Sequence, residues 1–188
     1  DTGAWSEIYD EEDLAAFFGH DADYTECYIF KMQFSINPAY EGWAWAGVNL
    51  YWDDGTDHFL VGVLHTRNAW STVPYTTTLF TLEAGVDWTS LNACEISENG
   101  LALDMHSNTI YVCAGKAPEQ TGAVATYDGF WRLYRSQNWG FTYTLAQEET
   151  YEWGVDGYEH AGYNDGMCDV WVPWVSNTYT GGAVFWAA

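Results

Sequence analysis

Residues 43–66 read WAWAGVNLYW (Trp43–Trp52), then DDGTD (Asp53–Asp57), then HFLVGVLHT (His58–Thr66). Two apolar runs rich in Val, Leu and aromatics flank a short acidic loop, and no Pro interrupts them. Asp54-Gly55 favours a tight reversal, because Gly tolerates positive φ and Asp bonds to nearby backbone. The pattern predicts a β-hairpin. Both faces of each run are largely apolar, which places the hairpin centrally in a sheet covered on both sides. The loop at its tip is a first candidate site.

Outward from this hairpin, the period stays that of strands. Residues 26–36 alternate, with Tyr28, Phe30, Met32, Phe34 and Ile36 on one face and Cys27, Lys31, Gln33 and Ser35 on the other, so a half-buried strand is expected there. Asn37-Pro38 ends it. A Thr-rich strand is expected near 75–82, a weak one over 86–98, and a turn at Glu98-Asn99-Gly100. Strands at 101–103 and 109–114 come next, then a loop over 115–129. Phe130–Arg135 and Phe141–Leu145 form a second hairpin around Ser136–Gly140, with Phe141, Tyr143 and Leu145 pointing one way. Residues 148–169 read as a long acidic surface loop, and last strands lie near 168–175 and 182–187. The convincing helix start is Asp10, capping residues 11–18. Acids crowd its first turn and Gly19 stands at its end. Leu14, Phe17 and Phe18 share a face and should dock on the sheet. Many short strands and one short N-terminal helix predict an all-β, antiparallel sandwich of jelly-roll type, a single domain over 1–188.

The chain of 188 residues carries 27 Asp and Glu against 5 Lys and Arg, a formal net charge of −22. That field repels nucleic acid and anionic membrane, so neither is expected as a partner. No apolar run is long enough for a membrane-crossing helix, and no membrane insertion is expected. Starting at Asp1, the chain reads as a mature, processed, extracellular product. Cys27, Cys94, Cys113 and Cys168 lack the close spacing of metal or redox motifs. Two disulfides are expected, Cys94–Cys113 and Cys27–Cys168, with four buried free thiols as the alternative.

Oxygen ligands cluster in three loops, which points to calcium. Asp21, Asp23 and Glu26 form one candidate set; Asp53, Asp54 and Asp57 form a second; residues 164–169 hold a third. Solvated acidic turns are the competing reading. The sequence has no G-x-S-x-G, H-E-x-x-H, Walker or dinucleotide glycine pattern. Carboxylate pairs such as Asp53 with Asp57, or Glu148 with Glu149, raise glycoside hydrolysis as a lesser possibility, although so many acids produce pairs by chance. His58 and His65 are expected on opposite faces of their strand.

Two family resemblances are present. Ser136-Gln-Asn-Trp-Gly-Phe-Thr-Tyr143, Thr81 to Trp88 and Tyr51 to His58 resemble the Asp-box of β-propeller blades, Ser/Thr-x-Asp-x-Gly-x-Thr-Trp. Their unequal spacing argues against regular blades. The segment from Tyr28 to Thr66 looks like paired strands of concanavalin-like sandwiches, a resemblance that implies sugar binding.

Aromatic residues make up 19% of the chain, including 12 Trp, more than a core of this size is expected to hide. Surplus rings serve contact with a protein or a sugar face, with an aromatic-heavy β core as the competing reading. The leading expectation is a secreted, non-enzymatic structural subunit that self-associates into an extracellular filament or matrix, stabilised by calcium. The apolar stretch Gly181–Ala188 would add as a strand to a neighbour's sheet, with pairing inside its own domain as the competing reading. The alternative is a carbohydrate-binding module with Trp43, Trp45, Trp171 and Trp174 as stacking platforms and a glycan as partner.

Overall fold

A computed structural model describes residues 9–35, 37–55, 57–68, 78–81, 88–89, 95–104, 109–116, 119–121, 124–127 and 129–151. They are mostly β, with antiparallel sheets and one helix. The helix, α1, spans Glu11–Phe18. The strands are β1 (Glu26–Phe34), β2 (Ala44–Asp53), β3 (Asp57–Thr66), β4 (Thr78–Thr81), β5 (Trp88–Thr89), β6 (Glu95–Asp104), β7 (Thr109–Lys116), β8 (Glu119–Thr121), β9 (Val124–Tyr127), β10 (Gly129–Ser136) and β11 (Thr144–Tyr151). The first sheet runs β1-β2-β3-β4, with the two-residue β5 also on β3. The second runs β11-β10-β7-β6, and β8-β9 form a small ribbon. Among the described residues no helix is long and apolar enough to cross a membrane.

The β2–β3 hairpin is central to the first sheet and covered on both faces. It pairs without interruption from Ala44 opposite Thr66 to Asp53 opposite Asp57. Strand alternation therefore sorts its side chains cleanly. Ala46, Val48, Leu50, Trp52 and Leu64 share one face with Cys27 and with Leu14 and Ala15 of α1. Trp45, Val61 and Val63 share the other with Ile96, Leu101, Ile110, Val112, Ala114 and Tyr134 of the second sheet. The helix keeps its expected bounds. Asp10 and Asp13 cap each other's backbone N–H, and Gly19 closes the last turn at φ 85°.

The two sheets approach most closely where β6 lies against β1 and β2. Gly47 permits this: a Cβ there would stand 3.0 Å from Ile96 Cγ2. Two residues on, the buried Asn49 side chain meets the backbone of the same Ile96. Its Nδ2 donates to the Ile96 carbonyl at 3.2 Å, and its Oδ1 accepts from the Ile96 N–H at 2.9 Å. Among the described residues β6 is the edge of its sheet, and no described strand pairs with these groups on that side. One carboxamide replaces a neighbouring strand there. Gln33 Nε2 donates, at 3.5 Å, to the carbonyl of Leu101 farther along the same strand.

Several expectations are corrected. The register of β1 shifts between Ile29 and Lys31, a bulge at Phe30. Cys27 and Ile29 before it, and Met32 and Phe34 after it, consequently share the helix-side face. The aromatic face expected from the alternation is thus split in two. Glu98-Asn99-Gly100 is no turn: β6 continues through it, with an irregular register between Ile96 and Leu101. The loop expected over 115–129 contains β8 and β9. The last described strand starts at Thr144 and extends to Tyr151, into the expected loop. Cys27 is a buried free thiol, which removes the Cys27–Cys168 pairing. Cys113 is disulfide-bonded; no disulfide joins two described residues. Cys94 and Cys168, the loop at 164–169 and the strands expected near 168–175 and 182–187 lie outside the described residues.

Asn49→Leu leaves two buried backbone groups of Ile96 unpaired, and the expected loss is roughly 2–4 kcal/mol. Gln33→Leu should cost about 1 kcal/mol or less. Urea midpoints measure both; equal midpoints for Asn49→Leu and wild type would contradict the role given to Asn49.

Candidate functional site

The two ends of the β2–β3 hairpin carry different chemistry. At the tip, Asp53 Oδ1 accepts from the Gly55 N–H at 2.7 Å, which shapes the reversal. The Thr25 N–H donates to the Tyr51 carbonyl at 2.8 Å and holds the loop before β1 beside this tip. The two acidic loops singled out in the sequence therefore meet at one end of the sheet. Between them stands a stack of three rings. Trp52 lies 4.0 Å from His20 on one side and 4.7 Å from His58 on the other, with interplanar angles of 26° and 4°. Each imidazole also meets a carboxylate: His20 Nδ1 with Asp23 Oδ1 at 3.0 Å, and His58 Nε2 with Asp54 Oδ1 at 2.9 Å.

The six expected calcium ligands take different places at this end. Asp21, Asp23 and Glu26 are exposed, and so are Asp53 and Asp54. Asp57 stands opposite Asp53 in the ladder. Asp23 and Asp54 engage histidines, and Asp53 engages its own turn. Among the described residues no group of three or more His, Cys, Asp or Glu side chains is arranged around a common ion position. Glu148, weighed as a catalytic acid, is ion-paired with Arg132 across the β10–β11 ladder.

The opposite end of the hairpin is aromatic. Trp45 is 0% exposed, so it is no platform for a ligand as expected from the sequence. Its indole is instead the centre of a stack, 5.1 Å from His65 at 8° and 6.0 Å from Trp139 at 19°. Trp45 Nε1 donates to the Trp139 carbonyl at 2.8 Å. Trp43 is half-buried and meets Phe141 edge-on at 6.2 Å and 89°. Phe141 is 50% exposed, with the Arg67 guanidinium 5.9 Å from its ring centre. Trp171 and Trp174 lie outside the described residues.

The turn from Ser136 to Tyr143 brings Trp139 and Phe141 here. Ser136 Oγ accepts from the Gly140 N–H at 2.8 Å and donates to Asn138 Oδ1 at 2.9 Å. Asn138 Oδ1 also accepts from the Thr142 N–H at 3.0 Å, and Asn138 Nδ2 donates to Thr142 Oγ1 at 2.9 Å. Alternate residues thus knit the turn. Trp139 and Gly140 both have positive φ, 63° and 87°. A Cβ on Gly140 would fall 2.8 Å from Trp45 Nε1, so the turn seats against Trp45 only with glycine there. Tyr143, expected to share a face with Phe141 and Leu145, is buried while those two are exposed.

His65 is the unusual member of this cluster. It is buried, and among the described residues its Nε2 has no hydrogen-bond partner. Burial, with Arg67 contributing, lowers its pKa from 6.5 to about 4. His58 and His65 face opposite sides of the sheet, as their spacing indicated. Sequence reasoning missed the Trp45–His65–Trp139 stack and the His20–Trp52–His58 stack. A histidine inside an apolar strand was the available signal for the first; in the second, His58 stands opposite Trp52 in the predicted hairpin, and only the placement of His20 lay beyond the sequence. No family model, curated protein or solved structure matches this chain.

The depressed His65 pKa sets an acid limit. Between pH 6.5 and 4 the unfolded chain binds a proton that the folded chain refuses, so stability rises with pH across that window and falls on acidification. The full penalty, reached below pH 4, is on the order of 3 kcal/mol. His65→Phe keeps a ring beside Trp45 and removes the proton site. Chemical denaturation at pH 7 and pH 4 should show wild type losing about 3 kcal/mol more than the variant; equal losses would contradict a neutral buried imidazole.

Proposed function

We propose that the chain is a secreted, non-enzymatic structural subunit of an extracellular assembly, a filament or matrix, whose two sheets form a sandwich of jelly-roll type. The observation that carries this reading is a row of exposed apolar side chains on β1. Ile29 is 36% exposed, Met32 45% and Phe34 40%, all on the face that α1 only partly covers. On a chain of net charge −22, adjacent exposed apolar side chains of this kind mark a contact surface. A contact between copies must also overcome mutual repulsion. Calcium drawn to the acidic end, where the loops at 20–26 and 53–57 adjoin, offsets that repulsion and fits the hard-oxygen character of the carboxylates. The Cys113 disulfide supports an oxidising compartment.

A second reading has its own observation. Trp43 and the half-exposed Phe141, with Arg67 beside them, form an aromatic surface of the sort on which sugar rings stack. Binding of the monomer to arrayed glycans, lost in Phe141→Ala, is the outcome that favours it.

Sedimentation velocity separates the two. Particles should enlarge with calcium and shrink in chelator, and Ile29→Glu/Met32→Glu should weaken association roughly tenfold or more, with the fold checked by circular dichroism. A chain that stays monomeric with and without calcium at every concentration would refute the assembly reading.

A further inference from the structure

The sheet edges of this molecule differ in how they are closed. β6 has its backbone met by Asn49 and Gln33 from the first sheet. β1, also paired on one side only among the described residues, has its Cys27 N–H met by the Glu11 carboxylate and β6 in contact with it. β4 is four residues long. β11 is different: it spans eight residues, Thr144–Tyr151, and among the described residues only β10 pairs with it. Thr144 to Glu148 are all exposed, Leu145 to 50%. An exposed strand edge is a row of backbone donors and acceptors ready for another strand.

Charge decides which strand can fill it. Two β11 edges paired antiparallel about positions 148 and 149 would bring acidic residues of both copies opposite one another, and like charges across a ladder are destabilising. The edge is thereby protected from its own kind. Residues 170–188 contain no Asp, Glu, Lys or Arg, the longest such run in the chain. Within it, Gly181–Ala188 reads GGAVFWAA, free of Pro, with Val184, Phe185 and Trp186 as the residues that suit a strand. It is the part of a neighbouring copy that approaches β11 with least electrostatic opposition. The bulge that leaves Ala146 without a ladder partner sets the straight run at Gln147–Tyr151, long enough for about half of that segment.

We infer that β11 is an acceptor edge on which Gly181–Ala188 of a second copy adds as an antiparallel or parallel strand. This inference rests on the assembly reading and specifies the surface and the partner. Backbone hydrogen bonds supply the attachment, and the exposed Leu145 supplies an apolar contact at one end.

Hydrogen exchange of the full chain, read by mass spectrometry at low and high protein concentration in calcium, tests it alongside sedimentation. The expected result is exchange over 144–151 that slows roughly tenfold or more as particles enlarge. Val184→Pro, which removes a backbone donor from the added strand, should abolish that slowing. An excess of the peptide Gly181–Ala188 added to wild type should shrink the particles; this arm needs no variant to fold. Enlargement with unchanged exchange over 144–151 overturns the inference and leaves the assembly reading standing. Absence of enlargement at any concentration overturns both. Slow exchange at every concentration that is lost in Val184→Pro shows the segment covering the edge of its own chain, and also overturns the inference.

Discussion

The contact on which this architecture depends is one buried carboxamide gripping one residue's backbone. Asn49 satisfies both backbone groups of Ile96, and Gly47 beside it allows the two backbones to come close enough. Apolar burial drives the sheets together but does not fix how one sits on the other. A pair of directional bonds does, because any sliding leaves buried polar atoms without partners. The packing of Trp45, Val61 and Val63 against Ile110, Val112 and Ala114 results from that alignment.

The same hairpin that carries Asn49 separates two kinds of surface. Its tip gathers carboxylates and two histidines around Trp52; its other end gathers Trp43, Trp45, Trp139 and Phe141 around a neutral histidine. None of the five Lys and Arg residues stands at the tip. Lys31 lies opposite Gly47, Arg67 just beyond the far end of β3, and Lys116, Arg132 and Arg135 on the second sheet. A strong electrostatic polarity along the hairpin results, with cation attraction at one end and apolar contact available at the other.

Much of this was readable in the residues. The helix declared itself through Asp10 and Gly19, and the central hairpin through two uninterrupted apolar runs about an Asp-Gly reversal. The features that escaped have a common physical origin. A bulge such as that at Phe30 changes which face every later side chain occupies, yet it costs a single residue and leaves no compositional trace. Continuation of β6 through Asn99-Gly100 is a case where packing against the first sheet overrides local turn preference. The Trp45–Trp139 and His20–Trp52 contacts join residues distant in the chain, and one-dimensional spacing does not report such meetings. Trp45 is core rather than a surface ring because its strand is covered on both faces, which leaves no open side for an indole within it.

Cys27 is a thiol placed directly under the helix. It is sealed between α1 and β2, its backbone N–H held by the Glu11 carboxylate at 2.9 Å, and burial together with that carboxylate pushes its pKa up to about 12. In the closed molecule such a sulfur is neither accessible nor nucleophilic. Its alkylation therefore requires an opening that uncovers it, which gives the chain an internal gauge of such openings that needs no added label.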